Sequence, residues 1–497
     1  MNRWCSNLML VAAWAVAMPG CAHDRAVGRT ATPAEQYFAP PQIALAGGDS
    51  SGEESQVVQA AFDTAPVDKA TAAEVEVAES QPDESQTTDI QVVRGAEPNP
   101  VPGMEFSSGP QPKLTLAYLS RLAQENHPLL RRDQARITSA SGQALQAGLY
   151  PNPTFDTNNP QIFNGPQGTA LNAGFQQELV VKGKLRLDRT AALRAQEQAE
   201  FTYVQDKYAL LAQVRNQFYQ TLAAQFRVDV LKRLLIITDA SVKTANERVK
   251  ATTGDRTEVL LLTIDYDRTQ ADLANALRVL DGERKQLAAI VGFPGLVNES
   301  VVGSLTADPP VFDDEAIQQF VVSENAIIQI AKLDIDRNKI LLKRAEVEPF
   351  PNITIGPAYQ YGLNKTQEQF WMTVIFPIPV SNRNQGNILS ARADIKNATE
   401  TLGTVQLDLL RKVADSLSTH RGAVAQADQY KNQIIKDARE ALRLAKSGYD
   451  AGLFEFSVYL QAQRTVIDAT KEYVDILERV WTTAADISGL LQMDQFP

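Results

Sequence analysis

No proline interrupts residues 182–250, and that run constrains the fold more than any other feature of the 497-residue chain. Leu210, Val214, Phe218, Leu222, Phe226, Val230 and Leu234 recur every fourth residue within it. Spacings of three and four mark one face of a helix. A helix turns every 3.6 residues, so a strict four-residue step drifts around the axis and the apolar surface wraps. Such a helix needs neighbours on both sides. At 1.5 Å per residue it would reach about 100 Å. An ordinary globular core has no use for that length; a long bundle or tube does.

The chain breaks in the same way twice. "QAGLYPNPTFDTN" at 146–158 is matched by "AEVEPFPNITIGPAYQYG" at 345–362. At an offset of 200, Pro151, Asn152, Val180, Ala191 and Glu200 meet Pro351, Asn352, Val380, Ala391 and Glu400, and Gly254 meets Gly452 at 198. In each half a helical segment (113–148, with Pro128 starting a second helix, and 312–346) runs to a break. About thirty strand-like residues follow. A Pro-free helix comes next, to Lys250 or from Gln385 to Lys446, and then a turn and a further helix at 256–291 or 457–490. This order implies an internal duplication. The expected divisions are a signal segment at 1–20, a tether at 21–112, a first repeat at 113–311, a second at 312–492 and a tail at 493–497.

Each break holds two strand candidates. In 352–362, Ile353, Ile355, Tyr359 and Tyr361 alternate with Asn352, Thr354, Ala358 and Gln360; in 170–180, Leu171, Ala173, Phe175 and Leu179 alternate with Asn172, Gly174, Gln176 and Glu178. Residues 369–380 are apolar, and 152–162 are polar and weak. Pro357 implies a bulge or an edge position. The stronger strands are about ten residues long, enough to cross a bilayer at a tilt. Four strands cannot close a membrane barrel, since the smallest have about eight, and open edges are not tolerated in lipid. Two chains would supply eight strands and three would supply twelve. The alternative is a pair of surface hairpins on a helical protein.

The first 21 residues, "MNRWCSNLMLVAAWAVAMPGC", have Arg3, an apolar run from Leu8 to Ala17, and Gly20 before Cys21. This resembles a bacterial lipoprotein signal with Cys21 acylated, although Met18 and Pro19 depart from the usual pattern; an ordinary secretory signal is the alternative. Residues 22–112 are rich in Ala, Pro, Gly, Ser, Gln and acids. Such a segment cannot bury enough surface to offset its ordering entropy. Beyond the signal no apolar run reaches about 18 residues. A net charge of −11 argues against a nucleic-acid partner. Only 2 Cys and 3 His are present, so no disulfide framework, resident metal or cofactor is expected. There is no P-loop and no GxSxG. His127 and His420 are expected as packing or surface residues, and an enzyme lacks a supporting constellation.

The plan resembles the TolC-like outer-membrane efflux channels over residues 113–492. "NHPLL" (126–130), "AGLYPNP", "QELVVKGKLRLDR", "FPNITIG" and "FPIPVSNRNQGN" carry the likeness, with "ERVKATTGDRTEVLLLTIDYDRTQADL" and "SGYDAGLFEFSVYLQAQRTVIDATKEYV" as the helix-hairpin tips. The resemblance implies a mainly α fold with a small β part: a long α-helical barrel and a transmembrane β-barrel shared between protomers, four strands per chain and twelve per trimer. It also implies a homotrimer in the outer membrane, a periplasmic adaptor and an inner-membrane pump. "KGKLRLDR" is similar to members serving metal-cation and multidrug pumps of the resistance-nodulation-division class.

A channel needs no catalytic group. The expected gate and docking surface is the pair of tips, with Gly254, Asp255, Glu258, Gly448, Gly452, Leu453 and Glu455; the three glycines are suited to positive φ. The resemblance implies bore carboxylates after the second tip. Val458 and Gln461 stand near those places, which leaves Asp265 and Asp267 after the first tip as candidates. Phe175, Ile353, Ile355, Tyr359 and Tyr361 are the lipid-facing candidates. A structural or adhesive helical rod is the rival reading.

Overall fold

The computed structural model describes residues 114–157, 170–251, 254–296, 300–362 and 368–496. Cys21 and the tether lie outside the described residues, as does the end of the weak strand expected at 152–162.

The first repeat begins with α1 (Leu116–Asn126) and α2 (Pro128–Ala147). His127 separates them: its Nδ1 accepts the backbone N–H of Leu129 at 3.2 Å, and Pro128 takes the first helical position. After the break come β1 (Thr154–Asp156) and β2 (Ala170–Leu179). The long helix follows as α3 (Lys184–Lys250), 67 residues without interruption. Its start uses two left-handed residues, Lys182 at φ 60° and Gly183 at φ 67°. Its last turn carries Arg248 and Lys250, which suit the negative end of the helix dipole. Then comes α4 (Arg256–Val291).

Leu210, Val214, Phe218, Leu222, Val230 and Leu234 are buried, and so are Tyr208, Leu211, Tyr219, Ala223, Val228 and Leu231 beside them. The apolar surface does wrap. α3 packs against α2, α4 and two helices of the second repeat, α6 (Ala326–Val347) and α9 (Phe456–Leu490).

The second repeat corrects two expectations. The single helix expected at 312–346 is two, α5 (Asp314–Ser323) and α6. Asn325 divides them, because its Oδ1 accepts the N–H of Ile327 at 3.0 Å and caps the second helix. The helix expected from Gln385 to Lys446 is α7 (Gln385–Gln429), one π-helical turn (Tyr430–Ile434) and α8 (Ile435–Asp450). Its start repeats that of α3: Asn384 is left-handed at φ 61°, and its Nδ2 donates to Ala345 O at 2.8 Å.

The two repeats are sewn together near the middle of α3. Tyr219 stacks on Trp481 of α9, with centroids 4.6 Å apart and planes 6° from parallel. The indole N–H donates to Leu305 O at 2.8 Å, in the segment joining the repeats. Arg215, 1% exposed, donates to Ser488 Oγ at 2.8 Å and to the carbonyls of Met493 and Asp494. Burial brings its guanidinium down to about 10, still charged at neutral pH.

β3 (Ile353–Gly362) and β4 (Gln369–Ile375) complete one antiparallel sheet in the order β1-β2-β3-β4. The hairpins of the two repeats therefore join through β2 and β3. β4 stops at Ile375 rather than running to Val380, because Pro377 and Pro379 cannot donate to a ladder. Pro357 produces neither a bulge nor an edge. It sits in the inner strand β3 opposite Met372, and Gly174↔Ala358 and Gln177↔Ile355 hold one register on both sides of it.

Candidate functional site

Strand alternation sorts the sheet into two faces. Phe155 pairs with Phe175, Pro357 with Met372, Tyr359 with Phe370, and Ile355 with Val374. These residues share one face with Leu179 and Ile353. Phe155, Phe175 and Phe370 on it are 60%, 56% and 69% exposed, and Tyr359, Met372 and Val374 are exposed too. Ile353 and Ile355 are half-buried. Tyr361 lies at the register position opposite Leu171. Phe155 and Phe175 touch, with ring centroids 5.1 Å apart.

The opposite face is polar or small: Thr154, Asp156, Gly174, Gln176, Glu178, Thr354, Gly356, Ala358, Gln360 and Thr373. Its polar groups bond among themselves. Gln176 Nε2 donates to Asp156 Oδ2 at 3.1 Å, and Asn352 Nδ2 to Glu178 Oε1 at 2.6 Å. Backbones come close here: a Cβ on Gly174 would lie 2.9 Å from Ala358 Cβ. Trp371 and Ile375 on this face and Gln177 on the other are the exceptions; Gln177 sits at the sheet's end and donates to Pro151 O. Large apolar residues facing out on one side and polar ones on the other invert the rule for a sheet packed on a protein core. The arrangement matches a strand set with lipid on one side and water on the other.

The helical tips hold the second group. α8 ends in a Schellman motif: Leu453 N donates to Gly448 O at 2.8 Å and Gly452 N to Tyr449 O at 3.0 Å. Gly452 alone of the three tip glycines has positive φ, 71°. Gly448 lies within α8 against Phe454, where a Cβ would meet the ring, and Gly254 passes 3.0 Å from Arg248 Cβ on the same measure. Close approach, not left-handed backbone, explains these two. Leu453 is 78% exposed.

Asp255 caps α4, its Oδ1 accepting Thr257 N at 3.2 Å. Glu258, one turn on, accepts the hydroxyl of Tyr449 from the other repeat. Burial first, and then this carboxylate, push the Tyr449 phenol far above its ordinary range. Arg248 sits over the Tyr449 ring at 4.4 Å, and Tyr459 stacks on it at 5.6 Å. Arg233, Ile237, Leu262 and Lys446 join these groups around a cavity of about 420 Å³. Glu455 precedes α9 and accepts from Ser457 Oγ at 3.3 Å.

Asp265 accepts from Arg464 Nε at 3.1 Å and Nη2 at 2.8 Å, and seven residues on Lys471 Nζ meets Asp272 Oδ2 at 2.5 Å. Asp267 is exposed. Sequence reasoning missed Tyr449, Arg248 and Arg464. The repeat offset held a signal for the last: Asp265 and Arg464 stand 199 residues apart, as do Asp272 and Lys471, so opposite charges occupy matching places in the two repeats. His420 packs as expected, buried between α7, α9 and the inter-repeat segment.

Among the described residues no helix is long and apolar enough to cross a membrane. Residues 324–491 match the family model described as outer membrane efflux protein. The chain is 25% identical over 381 residues to the cobalt-zinc-cadmium resistance protein CzcC of Cupriavidus metallidurans, covering 76% of this chain and 90% of that one. It is 21% identical over 382 residues to the outer membrane protein TolC of Vibrio cholerae, covering 72% and 85%. The solved outer-membrane channel OprN has the same fold, with a TM-score of 0.66 at 16% identity over 76% of this chain and 89% of that one. The chain is thus similar to outer membrane efflux proteins, by the family model over residues 324–491 and by these relatives over about three quarters of its length.

Proposed function

We propose that the protein is one third of a trimeric outer-membrane duct, the passive exit of a tripartite efflux pump. One observation carries this: a four-stranded sheet, apolar outward, whose edge strands β1 and β4 are paired on one side only. Lipid does not tolerate such edges. Adding copies edge to edge removes them, and three copies give a twelve-stranded barrel. The long helices continue the barrel as a periplasmic tunnel, and a water-filled bore lowers the barrier to polar solutes. Energy comes from an inner-membrane transporter of the resistance-nodulation-division type, coupled through a periplasmic adaptor. The likeness to a cobalt-zinc-cadmium resistance protein favours metal cations as cargo, with drugs as the second class.

We assign gating and adaptor docking to the tips, with Gly254, Asp255, Glu258, Gly448, Gly452, Leu453 and Glu455, and we assign bore carboxylates to Asp265 and Asp267. Cys21 carries the lipid anchor and residues 22–112 are its spacer. Purified protein is expected to run as a heat-modifiable trimer and to conduct ions in planar bilayers. A monomer without conductance would leave the helical-rod reading instead.

A further inference from the structure

Asp133 of α2 is 1% exposed, the most deeply buried carboxylate among the described residues. Its Oδ1 is well supplied: Arg132 Nε donates at 3.0 Å and Arg136 Nη1 at 3.2 Å. Its Oδ2 is buried and receives no donor. The group beside it across the helix interface is another carboxyl, Asp206 of α3. Arg132 bridges the two, its Nη2 reaching Asp206 Oδ2 at 3.3 Å.

Two ionised carboxylates here would leave lone pairs facing each other in a buried place. The guanidinium groups offset charge but do not supply a hydrogen to Asp133 Oδ2. A buried acceptor left without a donor carries its full desolvation penalty, and a charged one carries more. A single proton removes both the repulsion and the orphan, as in other close carboxyl pairs.

We propose that on acidification Asp206 takes up a proton and donates it to Asp133 Oδ2, and that this hydrogen bond makes an acid-tightened clasp of α2 onto α3. The charged groups facing the pair are Arg132 and Arg136 from α2; on α3, Lys207 is bonded to Asp494. Burial, then the Asp133 carboxylate, raise Asp206 above its ordinary 3.8, while the two arginines pull the other way and lose. The sign follows. A carboxyl raised on folding binds its proton more tightly in the folded state. Its stabilisation is complete below the ordinary value and is lost as pH rises through the raised one. Since α2 leads to Pro151 and the sheet, the clasp steadies the helix that enters the barrel.

The test uses full-length protein in detergent, as wild type, D206N and D206E. The side-chain amide introduced by D206N can donate to Asp133 Oδ2 at any pH. The melting temperature of wild type relative to D206N is therefore expected to rise as pH falls towards the ordinary carboxyl value of 3.8; other titrating groups cancel in that difference. Infrared difference spectra taken as the pH is lowered are expected to show an Asp206-dependent protonated-carboxyl C=O band in wild type that is lost in D206N and shifted in D206E. A melting difference that does not move with pH overturns the clasp. So does a spectrum without the Asp206-dependent band, which wild type and D206E alone can reveal if D206N does not assemble.

Discussion

Arg464 of α9 grips both carboxylate oxygens of Asp265 on α4, at 3.1 and 2.8 Å, across two helices that belong to different repeats. The carboxylate is 11% exposed and the guanidinium 38%. Asp272 and Lys471 repeat the tie seven residues higher, and Glu258 with Tyr449 make a third tie lower, at the tips. Bidentate geometry makes the first the strongest of the set. Because Arg464 is partly in water, its worth is screened to about 1 kcal/mol.

R464A is expected to destabilise the folded protein by about that amount, and the charge swap D265R/R464D to recover most of it. A double-mutant cycle on unfolding reads the coupling between the two residues. A coupling of zero would mean that the pair is held by packing alone.

Acid should act on His420 in the opposite sense to Asp206. The ring is buried, with Nδ1 3.2 Å from Val480 O and 3.1 Å from Thr483 Oγ1, and Nε2 3.4 Å from Pro310 O. Burial first, and Arg421 beside it, lower it from the ordinary 6.5, against two carbonyls that favour the charged form. The folded state thus prefers the neutral ring. Its contribution is present above the ordinary value and is lost as pH falls through the lowered one. Wild type should lose melting temperature relative to H420Q below about pH 6.5. A constant difference between the two would refute the assignment.

The two faces of the sheet should answer differently to charge. F175K places an ammonium in lipid at a cost of about 2–4 kcal/mol near the bilayer midplane. T373K, on the polar face, places the same group in water. Heat-modifiable trimer in outer-membrane fractions should fall sharply for the first and little for the second. Equal yields would falsify the face assignment.

C21S should abolish incorporation of labelled palmitate while the folded body still forms. Continued labelling would move the anchor elsewhere.

Much of the fold was legible because it rests on short-range periodicity. The α3 register, the paired breaks at Pro151 and Pro351, the alternation in β2 and β3, and the tip turn at Gly452 all depend on neighbours within about a turn or a strand pair. The misses share a cause. The division of 312–346 turns on one Asn side chain choosing a cap over solvent. The π turn at Tyr430–Ile434 inserts no residue type that marks it. Gly448 is required by Phe454, which the chain brings back only after the turn closes.

What the sequence determined by itself was a duplicated helix–hairpin plan whose strands are too few to close a barrel alone, because proline, helical period and strand alternation act locally. Tertiary structure alone decided that β2 joins β3, that Pro357 keeps its register, that Asp265 meets Arg464 and that Asp133 is buried against Asp206. Those outcomes depend on the rotation of long helices and on partners up to 199 residues away. The energy of burying or pairing a charge is set by that distant surrounding and not by adjacent residues.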